Sequence, residues 1–216
     1  MNHRGRFIVF EGGEACGKST QARRLADRLG ALFTFEPGAT ELGQLMRQIV
    51  LDPDTHHLDA RAEALLIAAD KAQHVRAIIE PALAAGRDVV CDRFVDSALA
   101  YQGFGRGLDL EELERVLDFA TGGLRGDLVL LLVVPDDVAD ARLGGQRDRL
   151  EAESAAFHRR VREGFRALAG ADPKRWAVID GEGSIEEVSA RIDWVLHERL
   201  EARAVSDRAG SWTRDC

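Results

Sequence analysis

Short apolar runs alternating with longer stretches of helical spacing set the layout of this chain. The runs predict strands at Phe7–Phe10, Leu32–Phe35, Asp88–Cys91, Leu128–Val134 and Trp176–Ile179. Between them, apolar positions recur every three to four residues, predicting helices at Lys18–Leu29, Ala60–Ala85, Leu110–Phe119, Ser154–Leu168 and Ile185–Leu200. Strict alternation of the two predicts an α/β fold, a doubly wound parallel sheet with helices on both faces and ligands at the carboxyl ends of its strands. On the long helix after Asp59, Leu65, Ala69, Ala72, Val75 and Ile79 make a core stripe, while Ile67, Lys71 and His74 share a different face. His74 is expected to be solvated there. After residue 200 the periodicity stops and charges mix, so the chain reads as one domain over 1–200 with a flexible tail over 201–216.

The first predicted strand runs straight into Gly12-Gly13-Glu14-Ala15-Cys16-Gly17-Lys18-Ser19-Thr20, and the first helix comes directly after. That is the phosphate-binding loop G-x-x-x-x-G-K-[ST] in the strand–turn–helix setting it requires. Glycines let backbone N–H groups turn onto a polyphosphate, and the helix N-terminus adds partial positive charge. Lys18 then neutralises the outer phosphates and the Ser19 hydroxyl ligates Mg²⁺. The pattern implies binding of a nucleoside triphosphate, with residues 12–20 as its cradle.

Composition narrows the class. A chain of 216 residues with 45% hydrophobic content buries a full α/β core. A net charge of −8 argues against a surface that coats nucleic acid. The longest aliphatic run, Leu128–Val134, is too short to span a bilayer, and the N-terminal apolar stretch leads into the phosphate loop rather than a cleavage site. Three scattered cysteines, Cys16, Cys91 and Cys216, have neither metal nor disulfide spacing, which points to a reduced cytoplasm. A GTP-switch protein is expected to read guanine through Asn-Lys-x-Asp, yet the sole asparagine is Asn2.

A second phosphate-handling group stands at Cys91-Asp92-Arg93-Phe94, where an apolar strand ends in an acid beside a base. Asp92 can hold a Mg²⁺-bound water, and Arg93 can grip an anion bidentately. Together with the next segment of the chain, Asp96-Ser97-Ala98-Leu99-Ala100-Tyr101-Gln102-Gly103-Phe104-Gly105-Arg106-Gly107, this group closely resembles the bacterial thymidylate kinase pattern D-R-[YF]-x-x-S-x-x-A-Y-Q-G-x-G-R-G. Glu36-Pro37-Gly38-Ala39-Thr40 is similar to that family's E-P-G-G-T loop, and Asp148-Arg149-Leu150-Glu151-Ala152-Glu153 to its D-R-[IL]-E-x-E lid. The likeness runs from Phe7 to about Leu200.

The resemblance implies ATP as phosphoryl donor, Mg²⁺, a homodimer packed through helices beside the sheet, and dTMP as the leading acceptor. The acceptor is already an anion, so catalysis reduces to positioning and charge neutralisation. The resemblance assigns Arg93, with help from Arg47, to the acceptor phosphate. It puts Glu14 near the acceptor sugar or a magnesium-bound water, Tyr101 against the ribose 2′ position, and Gln102, Ser97 and Glu36 in the acceptor pocket. It makes 142–153 a lid, with Arg149, Arg142 and Arg147 as candidates to meet transition-state charge, Arg149 foremost, because Ala15 brings none to the loop.

Departures from the family gather where the base is read. Ile67 stands where relatives commonly carry phenylalanine, Lys71 where they carry arginine, Ala98 where a hydroxyl often occurs, and Phe35 where an arginine often precedes E-P-G-G-T. The phosphate chemistry is thus expected to be intact and base recognition altered. Two alternatives remain at this level: a kinase for another or a broader range of pyrimidine deoxynucleoside monophosphates, and a catalytically weak nucleotide-binding regulator.

Overall fold

The computed structural model describes residues 4–142, 144 and 147–201. The chain runs β1 (Phe7–Glu11), α1 (Lys18–Leu29), β2 (Leu32–Phe35), α2 (Glu41–Leu51), α3 (Ala60–His74), α4 (Glu80–Ala84), β3 (Val89–Asp92), α5 (Val95–Ala98), α6 (Leu110–Thr121), β4 (Leu128–Val133), α7 (Asp136–Arg142), α8 (Ala155–Ala171), β5 (Trp176–Asp180) and α9 (Ile185–Leu196). The five strands form one parallel sheet in the order β2-β3-β1-β4-β5. After β1 the chain goes to the edge strand β2, comes back with β3 between β2 and β1, and then crosses to the other side of β1 with β4. The ligand crevice of such a sheet therefore opens at the carboxyl edge beside β1.

Side-chain alternation divides the core into two layers. Phe7, Val9, Val89, Cys91, Val129 and Leu131 face α3, α6 and α8, whereas Ile8, Phe10, Val90, Leu128, Leu130 and Leu132 face α1 and α9. The helices begin where short polar side chains satisfy the first N–H groups: Thr40 accepts from Gly43, Asp59 from Arg61 and Ala62, and Ser154 from Phe157, while Ser184 and Glu187 cap reciprocally.

Two expectations change. The helix expected over 60–85 is a continuous helical run whose middle, Val75–Ile79, widens into a π-turn before α4. Its buried face matches the expected stripe only in part: Val75 and Ile79 are buried in the core and Ala72 partly so, but Leu65 is 57% exposed and Ala69 is exposed, while Glu63, Asp70, Lys71 and His74 are buried. The face turned inward mixes these polar residues with Ala64, Ile67 and Ala68, because part of it backs the ligand cavity at the edge of the sheet. The proposed tail over 201–216 lies, apart from Glu201, outside the described residues.

Candidate active site

A cavity of about 690 Å³ opens at the carboxyl edge of the sheet. The loop after β1 forms its floor. Gly12 sits at φ 143°, and a Cβ there would come within 2.4 Å of the Leu132 carbonyl oxygen, so this turn against β4 admits no side chain. Gly17, also left-handed at φ 92°, caps α1. Glu14, Ala15, Gly17, Lys18, Ser19 and Thr20 line the cavity; Gly12, Gly13 and Cys16 are not part of its lining. Gly13 and Cys16 line a second space of about 550 Å³ on the other side of the loop, between β4 and α8. The Lys18 ammonium is buried and donates to the Gly13 carbonyl at 2.6 Å, curling back over the loop where an anion would sit.

Beside the loop, β3 delivers Asp92 and Arg93. The register of β1 with β3 sets Phe10 against Asp92, which brings Asp92 level with the start of α1. The Ser19 hydroxyl donates to Asp92 Oδ2, and Asp92 Oδ1 is buried with no partner. Two hard oxygen donors side by side, one of them unclaimed, fit Mg²⁺, which takes one or two protein oxygens and completes its shell from phosphate and water. Among the described residues, no group of three His, Cys, Asp or Glu side chains forms a metal site of its own.

Arg93 holds a left-handed backbone at φ 70°, a conformation that costs a non-glycine residue energy and collects at ligand sites. Its guanidinium donates to the Gly12 carbonyl at 3.0 Å, to Ser97 Oγ at 3.2 Å and to Glu14 Oε1 at 3.0 Å, and lies 5.0 Å from the centre of the Tyr101 ring. Burial opposes the charge, but Tyr101, Glu14 and Asp92 hold Arg93 well above its ordinary range. Burial would likewise raise the Glu14 carboxyl. Arg93, Lys18 and a hydrogen bond from Tyr101 outweigh it and pull Glu14 down to about 2. The result is a fixed cluster, Arg93⁺–Glu14⁻–Tyr101, beside the phosphate loop.

The far wall belongs to β2, α2, α3 and α5. Glu36, Arg47, Ile67, Lys71, Ser97, Ala98, Tyr101 and Gln102 all line the cavity. Glu36 does not cap α2, a role Thr40 fills; it is buried and accepts from Lys71 and His74. Arg47 lies over the Glu36–Pro37 turn, donating to the Pro37 carbonyl at 2.9 Å. The Ser97 hydroxyl donates to Glu11 and accepts from Arg93, so on the cavity wall it braces Arg93. Gln102 donates to Glu63 at 3.0 Å. His74, expected to be solvated, is fully buried.

With that geometry in place, comparison with known proteins is decisive. The thymidylate kinase family model matches residues 10–192. A thymidylate kinase of Synechococcus sp. (strain JA-2-3B'a(2-13)) is 51% identical over 199 residues, covering 90% of this chain and 95% of the relative. One of Syntrophotalea carbinolica is 46% identical, covering 86% and 92%. The crystal structure of thymidylate kinase from Ehrlichia chaffeensis superposes with a TM-score of 0.75 at 31% identity, covering 90% of this chain and 99% of that one.

The chain belongs to the thymidylate kinase family. Neither alternative, a different acceptor base or a catalytically weak regulator, is favoured by these relatives.

One candidate of the family's lid pattern is placed elsewhere. Arg149 does not reach the cavity: Nε donates to the Val50 carbonyl at 2.7 Å, and the guanidinium pairs with Glu63. Glu63 is entirely buried and also holds Arg106 and Gln102, so Arg149 ties its segment to α3. Arg142, at the end of α7, lines the cavity and donates to the Gly181 carbonyl at 3.3 Å. Arg147 lines the second space. Of the lid segment 142–153, residues 143, 145 and 146 lie outside the described residues.

Sequence reasoning missed several contributors. Arg23, Phe33 and Leu51 join the cavity wall, which Asp148, Leu150 and Glu151 of the expected lid segment also line. Glu11, Glu63 and His74 support it from beneath, and each sits on a core-facing surface where a charged residue carries no pattern signal.

Proposed function

We propose that this chain transfers the γ-phosphoryl group of ATP to dTMP, giving dTDP and ADP. The observation that carries the reading is the meeting of two anion-handling groups on one cavity. The phosphate loop with Lys18 takes the donor, and Arg93, fixed by Glu14 and Tyr101, takes the acceptor phosphate with Arg47 beside it. The acceptor oxygen needs no base, so positioning and charge neutralisation supply the rate. Mg²⁺ held by Ser19 and Asp92 supplies charge neutralisation at the donor phosphates when bound. Tyr101 crowds the sugar against Glu14, and Ile67, Lys71, Ala98 and Gln102 surround the base. Arg142, on the cavity wall, takes the lid position that Arg149 was expected to fill.

The residues 1–200 act as one kinase unit with its lid over 142–153. No helix among the described residues is long and apolar enough to cross a membrane, and the cytoplasm is the proposed location. The partners are nucleotides, not nucleic acid. A homodimer is supported by an apolar surface on α2 and α3, where Leu42, Leu45, Ile49 and Leu65 stand 45% to 58% exposed. A coupled ADP-release assay over a panel of monophosphates tests the reading. The highest kcat/KM is expected with dTMP; preference for another monophosphate, or no ADP release with any, would overturn it.

A further inference from the structure

Behind the acceptor wall of the cavity, four side chains from β2, the turn after it and α3 form one buried chain. His74 Nε2 lies 2.6 Å from the Thr34 hydroxyl, and His74 Nδ1 lies 2.8 Å from Glu36 Oε1. The other Glu36 oxygen accepts from the Lys71 ammonium, which also donates to the Phe94 carbonyl at 2.9 Å. Burial works against the Glu36 charge, but Lys71 and His74 outweigh it and hold the carboxyl below its ordinary range, so it is an acceptor only. His74 Nδ1 therefore carries the proton in this contact. Of the four, Glu36 and Lys71 line the cavity, while His74 and Thr34 stand behind them.

An ammonium has three N–H donors. Two of those on Lys71 are occupied by Glu36 and Phe94, so the position of Glu36 decides where the third one goes. A lysine has a flexible stem and no planar fork, unlike an arginine, and it needs outside help to point in one direction. His74 is fully buried and grips the Glu36 oxygen that Lys71 leaves free.

We propose that His74 is a positioning residue for the acceptor base: by fixing Glu36 it aims the remaining Lys71 N–H into the cavity, where it selects a base presenting a carbonyl oxygen over one presenting an amino group. This rests on the cavity being the dTMP site. Selection follows because an ammonium only donates and an exocyclic amino group offers it nothing to meet.

The test is steady-state kinetics with ATP and either dTMP or dCMP. His74→Phe fills the space without a donor, His74→Asn keeps an amide donor near the Nδ1 position, and Thr34→Val removes one hydroxyl. In His74→Phe, KM for dTMP is expected to rise on the order of tenfold, as for a lost hydrogen bond to a charged group. Its kcat and its KM for ATP stay within about twofold, and preference for dTMP over dCMP narrows. His74→Asn should recover most of the loss, and adding Lys71→Met to His74→Phe should cost nothing further. Equal losses in the Phe and Asn variants, or KM for ATP rising together with KM for dTMP, would assign His74 to packing and overturn the proposal. Should His74→Phe fail to fold, an unchanged KM for dTMP in Thr34→Val overturns it. Wild-type protein that does not phosphorylate dTMP takes down the acceptor reading and this inference with it, whereas wild-type turnover with insensitive variants takes down this inference alone.

Discussion

Ala15 leaves the phosphate loop with a single cation, Lys18. Charge building on the transferred phosphoryl group has to be met from within the cavity, where a fixed, partly desolvated cation is worth more than one in bulk water. Lys18 is 6% exposed and lies against the Gly13 carbonyl, poised over the position of the donor phosphates. Lys18→Ala is therefore expected to lower kcat by about 10²–10³-fold or more. Retention of kcat within tenfold, in the ADP-release assay at saturating nucleotides, would contradict the mechanism. A lysine such as Lys71 lacks a guanidinium's planar fork, yet Glu36 and Phe94 hold it in place, so orientation is supplied by neighbours.

At the level of elements, the arginines of the proposed lid segment stand in different surroundings. Arg149 belongs to a buried network with Glu63, Arg106 and Gln102, and Arg142 belongs to the cavity. Arg149→Ala removes a charged hydrogen bond from a buried carboxylate and is expected to cost on the order of 1–3 kcal/mol of stability, read as a lower urea midpoint, with kcat little changed. Arg142→Ala is expected to do the reverse, lowering kcat while leaving the midpoint in place. The opposite pattern would return the catalytic role to Arg149. The strands and the phosphate loop were legible in sequence because fully buried parallel strands read as apolar runs and the loop glycines leave a fixed spacing. The buried face of α3 was not. Its inward positions mix Glu63, Asp70, Lys71 and His74 with Ala64, Ile67 and Ala68, so apolar periodicity selected Leu65 and Ala69 on the outer face while placing Val75 and Ile79 rightly in the core. Arg149 turns toward Glu63 rather than the cavity for a related reason: a motif gives the residue, but only packing says which way it turns.

For the whole molecule, two properties derive from what is exposed and what is buried. The apolar surface of α2 and α3, with Leu45 58% and Leu65 57% exposed, is what a homodimer would cover. Leu45→Glu should shift the protein toward monomer in sedimentation equilibrium, and a wild type that is monomeric at micromolar concentration would remove the proposal. The second property is the pH dependence of folding, through Glu11 at the end of β1. Glu11 is fully buried, accepting from the Phe94 and Ser97 N–H groups and from the Ser97 hydroxyl. Burial, with the nearby Asp96 charge, raises it from 4.5 to about 7 against the opposing pull of Ser97 and Arg93. In the unfolded chain the carboxyl loses its proton near 4.5, so between 4.5 and 7 the folded state holds a proton that the unfolded state has released. Stability from this group is thus fully present below about 4.5 and is lost as pH rises through about 7. Glu14, pulled down to about 2, acts the other way, its contribution being present above 4.5 and lost as pH falls through about 2. Glu11→Gln isolates the first effect, because an amide keeps the acceptor for Phe94 and Ser97 and can donate to the Ser97 hydroxyl, but does not titrate. Urea unfolding of both proteins from pH 4 to 8 should show wild type losing stability relative to Glu11→Gln across the window between about 4.5 and 7, by up to about 1.4 kcal/mol per pH unit. A gap that stays constant with pH would mean that Glu11 is ionised in the folded protein, balanced by Arg93 alone.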